Sequence, residues 1–154
     1  LKGNERFLLN TDVLFETRRA SMHPNVARFL KETSADRLFL SPLSLGELRR
    51  QARDLREIEP ETAARFENWL DEAKAYFEER FLAVDGDVAE AWSAVRTDGI
   101  RSVTASLIAA TAASNNLILL TRNAKEATGM NVRTLNPWHT AYRTRPAPST
   151  GDAS

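Results

Sequence analysis

Cysteine is absent from these 154 residues, which excludes disulfide bonds, thiolate zinc sites and thiol nucleophiles. The two histidines, His23 and His139, lie far apart in the sequence, so a metal site built from imidazoles is not expected either. Net charge is missing too. The 21 Lys and Arg balance the 21 Asp and Glu, so no global positive field draws the chain to a polyanion, and any nucleic-acid contact must come from a local patch. No apolar run reaches the roughly 18 residues of a membrane span. The longest candidate, Leu107 to Leu120, is interrupted by Ser114, Asn115 and Asn116. Behind Lys2 and Arg6, the apolar run Phe7 to Leu9 is too short for the core of a signal peptide. These absences lead to the expectation of a soluble cytoplasmic protein with no membrane partner, whose length suits one domain around a single core.

What is present alternates between short apolar runs and helical patterns. Arg6 to Leu9 reads as a buried strand closed by Asn10-Thr11-Asp12. Val26, Phe29 and Leu30 follow Pro24 at helical spacing and predict a helix to about Thr33, with Ser21 as its cap. Leu38-Phe39-Leu40 predicts a second strand stopped by Pro42, then a helix opened by Ser44, which places Glu47 in its first turn. Pro60 to Phe81 predicts a long helix with Ala64, Trp69, Ala73, Tyr76 and Phe77 on one face; its aromatics and Trp92 read as core or as a homodimer seam. Phe81 to Val84 suggests a brief strand, and Asp87 a cap for a helix carrying Val88, Ala91, Trp92 and Val95. A small-residue helix over Val103 to Ala113 and strands over Leu117 to Leu120 and Val132 to Leu135 complete the series. The alternation implies an α/β fold with a parallel sheet covered on both faces, and ligands of such sheets sit at the carboxyl ends of the strands. Asn10, Glu47 and Thr121-Arg122-Asn123 fall there. The stretch after Arg143 is rich in Pro, Ser and Gly, so the expected division is a folded domain over 1–142 and a disordered tail over 143–154.

Five ordered segments carry a family resemblance. Phe7 to Leu14 resembles the opening of a PIN domain of the VapC/FitB toxin type, where a strand runs into Asp-Thr-Asn-Val; here the Asp and Asn are exchanged, as Asn10-Thr11-Asp12-Val13. Val103 to Ala112 resembles that family's Asp-x-x-Ile-Ala-Ala-Thr-Ala helix start, with Ala105 at the Asp position. Leu40 to Arg49, Leu119 to Asn123 and Asn136 to His139 supply the other three matches. The resemblance implies a three-layer α/β/α PIN-like domain with a central parallel sheet. It also implies a Mg²⁺- or Mn²⁺-dependent endoribonuclease of a toxin–antitoxin module, a homodimer held by a cognate small antitoxin and acting on RNA. Such an enzyme needs converging carboxylates because a hard dication prefers carboxylate oxygen, keeps several waters and turns one into a nucleophile aimed at phosphorus.

Carried over by position, Asn10 stands where the first catalytic Asp is expected, Glu47 matches the second acid, and Ala105 replaces the third. Asn123 occupies a fourth position that is Asp or Asn within the family. The candidate catalytic set is therefore Glu47, Asp12, Asn10 and Asn123, with Glu47 and Asp12 as metal ligands. Two roles stay open for Asp12: a ligand beside position 10 if the strand continues, or a cap or local hydrogen-bond partner if a helix begins there. Thr11 and Ser41 are candidates to orient water or phosphate, or to cap; Arg122 is a candidate phosphate contact or a surface ion pair. Arg18, Arg19, Arg49, Arg50, Arg53 and Arg56 either track RNA phosphates or form solvated faces. With two pocket acids replaced, impaired cleavage is expected; the alternative is an inactive homologue that binds an antitoxin or RNA.

Overall fold

The computed structural model describes residues 3–95, 102–127 and 129–139; the expected tail over 143–154 lies outside them. Four strands, β1 (Phe7–Leu9), β2 (Leu38–Leu40), β3 (Ile118–Leu120) and β4 (Thr134–Leu135), form one parallel sheet in the order β2-β1-β3-β4. Six helices cover it: α1 (Thr11–Glu16), α2 (Pro24–Glu32), α3 (Pro42–Asp54), α4 (Pro60–Tyr76), α5 (Gly86–Ser93) and α6 (Val103–Ser114).

The strands are apolar on both faces because each face meets helices. Phe7, Leu9, Leu38, Leu40, Ile118 and Leu120 point into one core with Leu14, Phe29, Leu48, Phe66, Leu70 and Phe77 from α1 to α4 and the turn after α4. Leu8 and Leu119 point the other way, onto Ile108, Ala109 and Ala112 of α6. The small residues of α6 let it lie close to the sheet, and α5 packs on it. The result is the expected α/β/α layering.

The local differences have physical reasons. Pro24 and Pro42 each occupy a first-turn position where a missing N–H costs nothing, so the caps fall immediately before them. His23, not Ser21, caps α2 by accepting a bond from the Asn25 N–H at 3.2 Å, and Ser41, not Ser44, caps α3 by accepting from the Leu43 N–H at 3.2 Å. Glu47 consequently sits one turn deeper in α3 than expected. Asp85, not Asp87, caps α5, its Oδ1 accepting from the Val88 N–H at 3.0 Å. The buried face of α4 is Ala63, Phe66, Leu70 and Ala73; Ala64 and Tyr76 are exposed, because Phe66 and Leu70 enter the core and set the rotation of the helix. That helix ends at Tyr76, and a 3₁₀ turn at Glu78–Arg80 leads to a single parallel bridge between Phe81 and Leu40 in place of a strand.

The passage from α6 into β3 brings the site together. Asn116 adopts a left-handed φ of 55°, tolerated by Asn better than by most residues. The N–H of Leu117 reaches Ala112 O at 2.9 Å and that of Asn116 reaches Ala113 O at 3.2 Å. This double closure ends the helix and aims the chain straight into β3 beside β1. Asn10 and Thr121 are thereby set side by side at the carboxyl ends of the two central strands.

Candidate active site

At those strand ends lies a pocket of about 360 Å³ whose wall includes Asn10, Thr11, Asp12, Phe15, Glu47 and Ala105. Residues 10, 47 and 105, distant in sequence, thus converge on one cavity. Ser102, Ile108, Gln51 and Leu48 complete the wall. Ser102 caps α6 through the Ala105 N–H at 3.4 Å, which seats Ala105 in the first turn, where its methyl contributes only packing.

Asn10 is buried, at 6% exposure. Its backbone ties β1 to β3 through Asn10 N–H to Leu120 O at 2.9 Å, and its own carbonyl accepts the first bonds of α1 from Val13 and Leu14. The side-chain amide donates from Nδ2 to Thr121 Oγ1 at 3.1 Å. Helix α1 begins at Thr11, yet Asp12 still turns back toward the same strand end. Its Oδ1 accepts from the Val13 N–H at 2.8 Å, and its Oδ2 accepts from the Arg122 N–H at 2.8 Å and the Thr121 hydroxyl at 3.4 Å. The cap position belongs to Asn10, and Asp12 combines a local bond to the first turn of α1 with a bridge to the end of β3. Burial pushes the Asp12 carboxyl above its ordinary 3.8, against the opposing pull of the Arg122 and Val13 N–H bonds, the Thr121 hydroxyl and the Arg122 charge.

Across the pocket the arrangement is different. Thr11 Oγ1 lies 2.9 Å from Glu47 Oε2 and 3.0 Å from Ser44 Oγ. A carboxylate only accepts, so the Thr11 proton goes to Glu47 and a Thr11 lone pair is left for Ser44. Ser44 is fully buried and lies three residues before Glu47, on the same side of α3. Glu47 itself is half-buried and faces the cavity.

The other expected site residues stand away from this wall. Ser41 is buried as the α3 cap. Asn123 accepts from the Lys125 N–H at 3.2 Å and so opens the 3₁₀ turn Ala124–Ala127, while its own N–H donates to Thr121 Oγ1 at 3.1 Å. The Arg122 guanidinium lies 4.1 Å over the ring of Trp138, a cation–π contact. Trp138 joins the core on the α1-to-α4 side, and Asn25 donates to its carbonyl at 2.7 Å.

Several of the arginines are committed to structure. Arg49 binds Asp71 at 2.6 Å, Arg56 binds Glu67 at 2.6 Å, Arg19 lies 3.5 Å from Glu16, and Arg18 lies 4.2 Å over Phe66. Arg50 instead lines a groove of about 520 Å³ that shares Glu47 and Gln51 with the pocket and continues past Asp54 and Thr104. Thr121, Ser44, Gln51 and Ser102 had no assigned role in the sequence reading of the site. Thr121 carried a usable signal, as the first polar residue after a fully apolar strand.

A divalent cation needs carboxylate oxygens facing it, and the donor set here does not fit that requirement. Glu47 supplies one, Asp12 has both oxygens engaged by N–H or O–H donors, Asn10 is neutral, and Ala105 has no donor. Among the described residues, no group of three or more His, Asp or Glu side chains is placed to hold a metal ion.

The PIN domain family model matches residues 7–127. FitAcB from Neisseria gonorrhoeae is similar over 86% of this chain and 99% of its own, at 27% identity and a TM-score of 0.76. A toxin–antitoxin complex from Klebsiella pneumoniae is similar over 84% and 96%, at 22% identity and 0.62. VapBC2 from Rickettsia felis, bound to a DNA fragment from its promoter, is similar over 84% and 98%, at 19% identity and 0.59. At the two lower identities the likeness is one of fold. No curated protein matches this chain in sequence.

Proposed function

The chain belongs to the PIN domain family, and from that premise we propose that it is a VapC/FitB-like member of a toxin–antitoxin module with impaired endoribonuclease activity. The observation that carries this reading is the convergence of Asn10, Glu47 and Ala105 on one pocket, where the family resemblance leads one to expect three acids. A Mg²⁺ or Mn²⁺ ion held by the family's acids would supply Lewis-acid activation of water for phosphodiester hydrolysis, and Glu47 is the one of those acids left here to hold it. Replacing two of its carboxylates weakens the electrostatic hold on that ion by several kcal/mol. Each 1.36 kcal/mol is tenfold in rate, so a loss on the order of 10²-fold or more follows.

On this reading the surface for a partner is separate from the altered acids. An apolar cavity of about 390 Å³ lies between α1, α2 and α4, lined by Leu14, Met22, Leu30, Trp69, Tyr76 and Phe77 among others. It offers a seat for apolar side chains of a small antitoxin, the kind of partner present in the similar complex from Klebsiella pneumoniae. Loss of pocket acids weakens any basic antitoxin residue that would pair with them, and leaves this apolar contact intact. A second reading, an inactive homologue that binds antitoxin or RNA without cutting, is favoured by the engagement of Asp12 in the fold.

The test is cleavage of a fluorescent single-stranded RNA with Mn²⁺ by the native chain and by N10D/D12N/A105D, which restores the family's Asp-Thr-Asn order and third acid. The expected result is cleavage by the variant at least about 10²-fold faster than by the native chain. Equal, metal-dependent cleavage by both would overturn the impairment. RNA retained in a gel shift by the native chain without any cutting would favour the second reading.

A further inference from the structure

Positions 10 and 12 meet at one hydroxyl. Thr121 is 1% exposed, and its Oγ1 has one proton and two lone pairs. All three are used: Asn10 Nδ2 and the Asn123 N–H donate to it at 3.1 Å each, and it lies 3.4 Å from Asp12 Oδ2 as the donor. The two neighbours differ in kind, since an amide NH₂ gives a proton and a carboxylate takes one. Asn at 10 and Asp at 12 are thus a matched pair around Thr121. Asp at 10 would put a second acceptor on the same single proton and a second negative charge beside Asp12, a like-charge pair in a half-buried site. The other ends of Asp12 are fixed by the backbone, at Val13 on α1 and Arg122 after β3.

We propose that Asp12 is the acidic half of a clasp between the β1–α1 turn and the end of β3, positioned by Thr121, and not a pocket ligand. Positions 10 and 12 are coupled through that hydroxyl, so that a carboxylate returns to position 10 without penalty only when position 12 gives one up. The significance of position 10 rests on the PIN reading; the clasp itself does not.

Urea unfolding of the native chain, N10D, D12N and N10D/D12N forms the test. Both single variants are expected to unfold at lower urea, and the double variant to lose less than the two single losses together. T121V is expected to lower the melting temperature by roughly 5 °C and to abolish the coupling, whereas T121S, which keeps the hydroxyl, retains it. Strictly additive losses overturn the coupling. Free Mn²⁺, read by electron paramagnetic resonance, separates clasp from ligand. Equal signals with the native chain and D12N are expected. Mn²⁺ held by the native chain and released by D12N at an unchanged urea midpoint overturns the proposal. If D12N does not fold, T121V and T121S carry the same comparison. Mn²⁺ held by the native chain and by D12N but released by E47Q would overturn the impaired-pocket reading and support the clasp.

Discussion

Asn10 and Asp12 turn toward β3, Thr11 turns toward α3, and the two sides of this three-residue corner differ in how their polar groups are held. On the β3 side the acceptors and donors are backbone N–H groups and a buried hydroxyl, and Asp12 is bound at both oxygens. On the α3 side Glu47 is met at one oxygen by the Thr11 hydroxyl and faces a cavity. A carboxylate held by the backbone of two elements contributes to folding; one held by a side chain at a cavity wall remains available to what enters. One carboxylate is thus tied into the scaffold at Asp12 and another lines the pocket at Glu47, the first of them two residues from Asn10.

The largest effect that would sharpen this contrast is the gain in RNA cleavage on moving the acid back, as N10D/D12N/A105D, at about 10²-fold or more over the native chain. Next is stability. Removing the Thr121 hydroxyl as T121V takes an acceptor from Asn10 and Asn123 and a donor from Asp12, and is expected to cost about 1–3 kcal/mol in urea unfolding. E47Q, by contrast, is expected to stay within about 0.5 kcal/mol of the native chain, because its carboxylate holds no backbone group in place. A loss from E47Q as large as that from T121V would erase the distinction between the two sides.

A smaller effect is the pH dependence of Asp12. Burial raises its carboxyl above 3.8, so between that ordinary value and the raised one the folded chain binds more protons than the unfolded chain. The stability this group contributes is then fully present below 3.8 and lost as pH rises through the raised value. D12N has no such group. The difference in urea midpoint between the native chain and D12N is expected to widen as pH falls from neutral toward 3.8. A difference that narrows over that range would mean that the N–H bonds outweigh burial at Asp12.

The framework was legible in the sequence because its signals are repetitive: Phe7 to Leu9, Leu38 to Leu40 and Ile118 to Leu120 are unbroken apolar runs between helical patterns, and such runs occur in parallel sheets buried on both faces. The convergence of Asn10, Glu47 and Ala105 was legible only through the family resemblance, since no local pattern joins residues so far apart. What escaped was decided by single atoms. Whether Ser41 or Ser44 caps α3 turns on the placement of Pro42, and the direction of Asp12 turns on an N–H at Arg122, 110 residues away. Thr121 stands out as the first polar residue after an apolar strand, yet nothing local to it announces that the Asn10 and Asp12 side chains and the Asn123 amide would meet around it.

Glu47 alone does not build a divalent-ion site in this pocket, and direct titration tests that. Calorimetric titration of Mn²⁺ into the purified chain, with E47Q as control, is expected to give no heat that depends on Glu47. Saturable binding by the native chain that E47Q abolishes would contradict it, and would mean that one carboxylate and its neutral neighbours suffice to build the site.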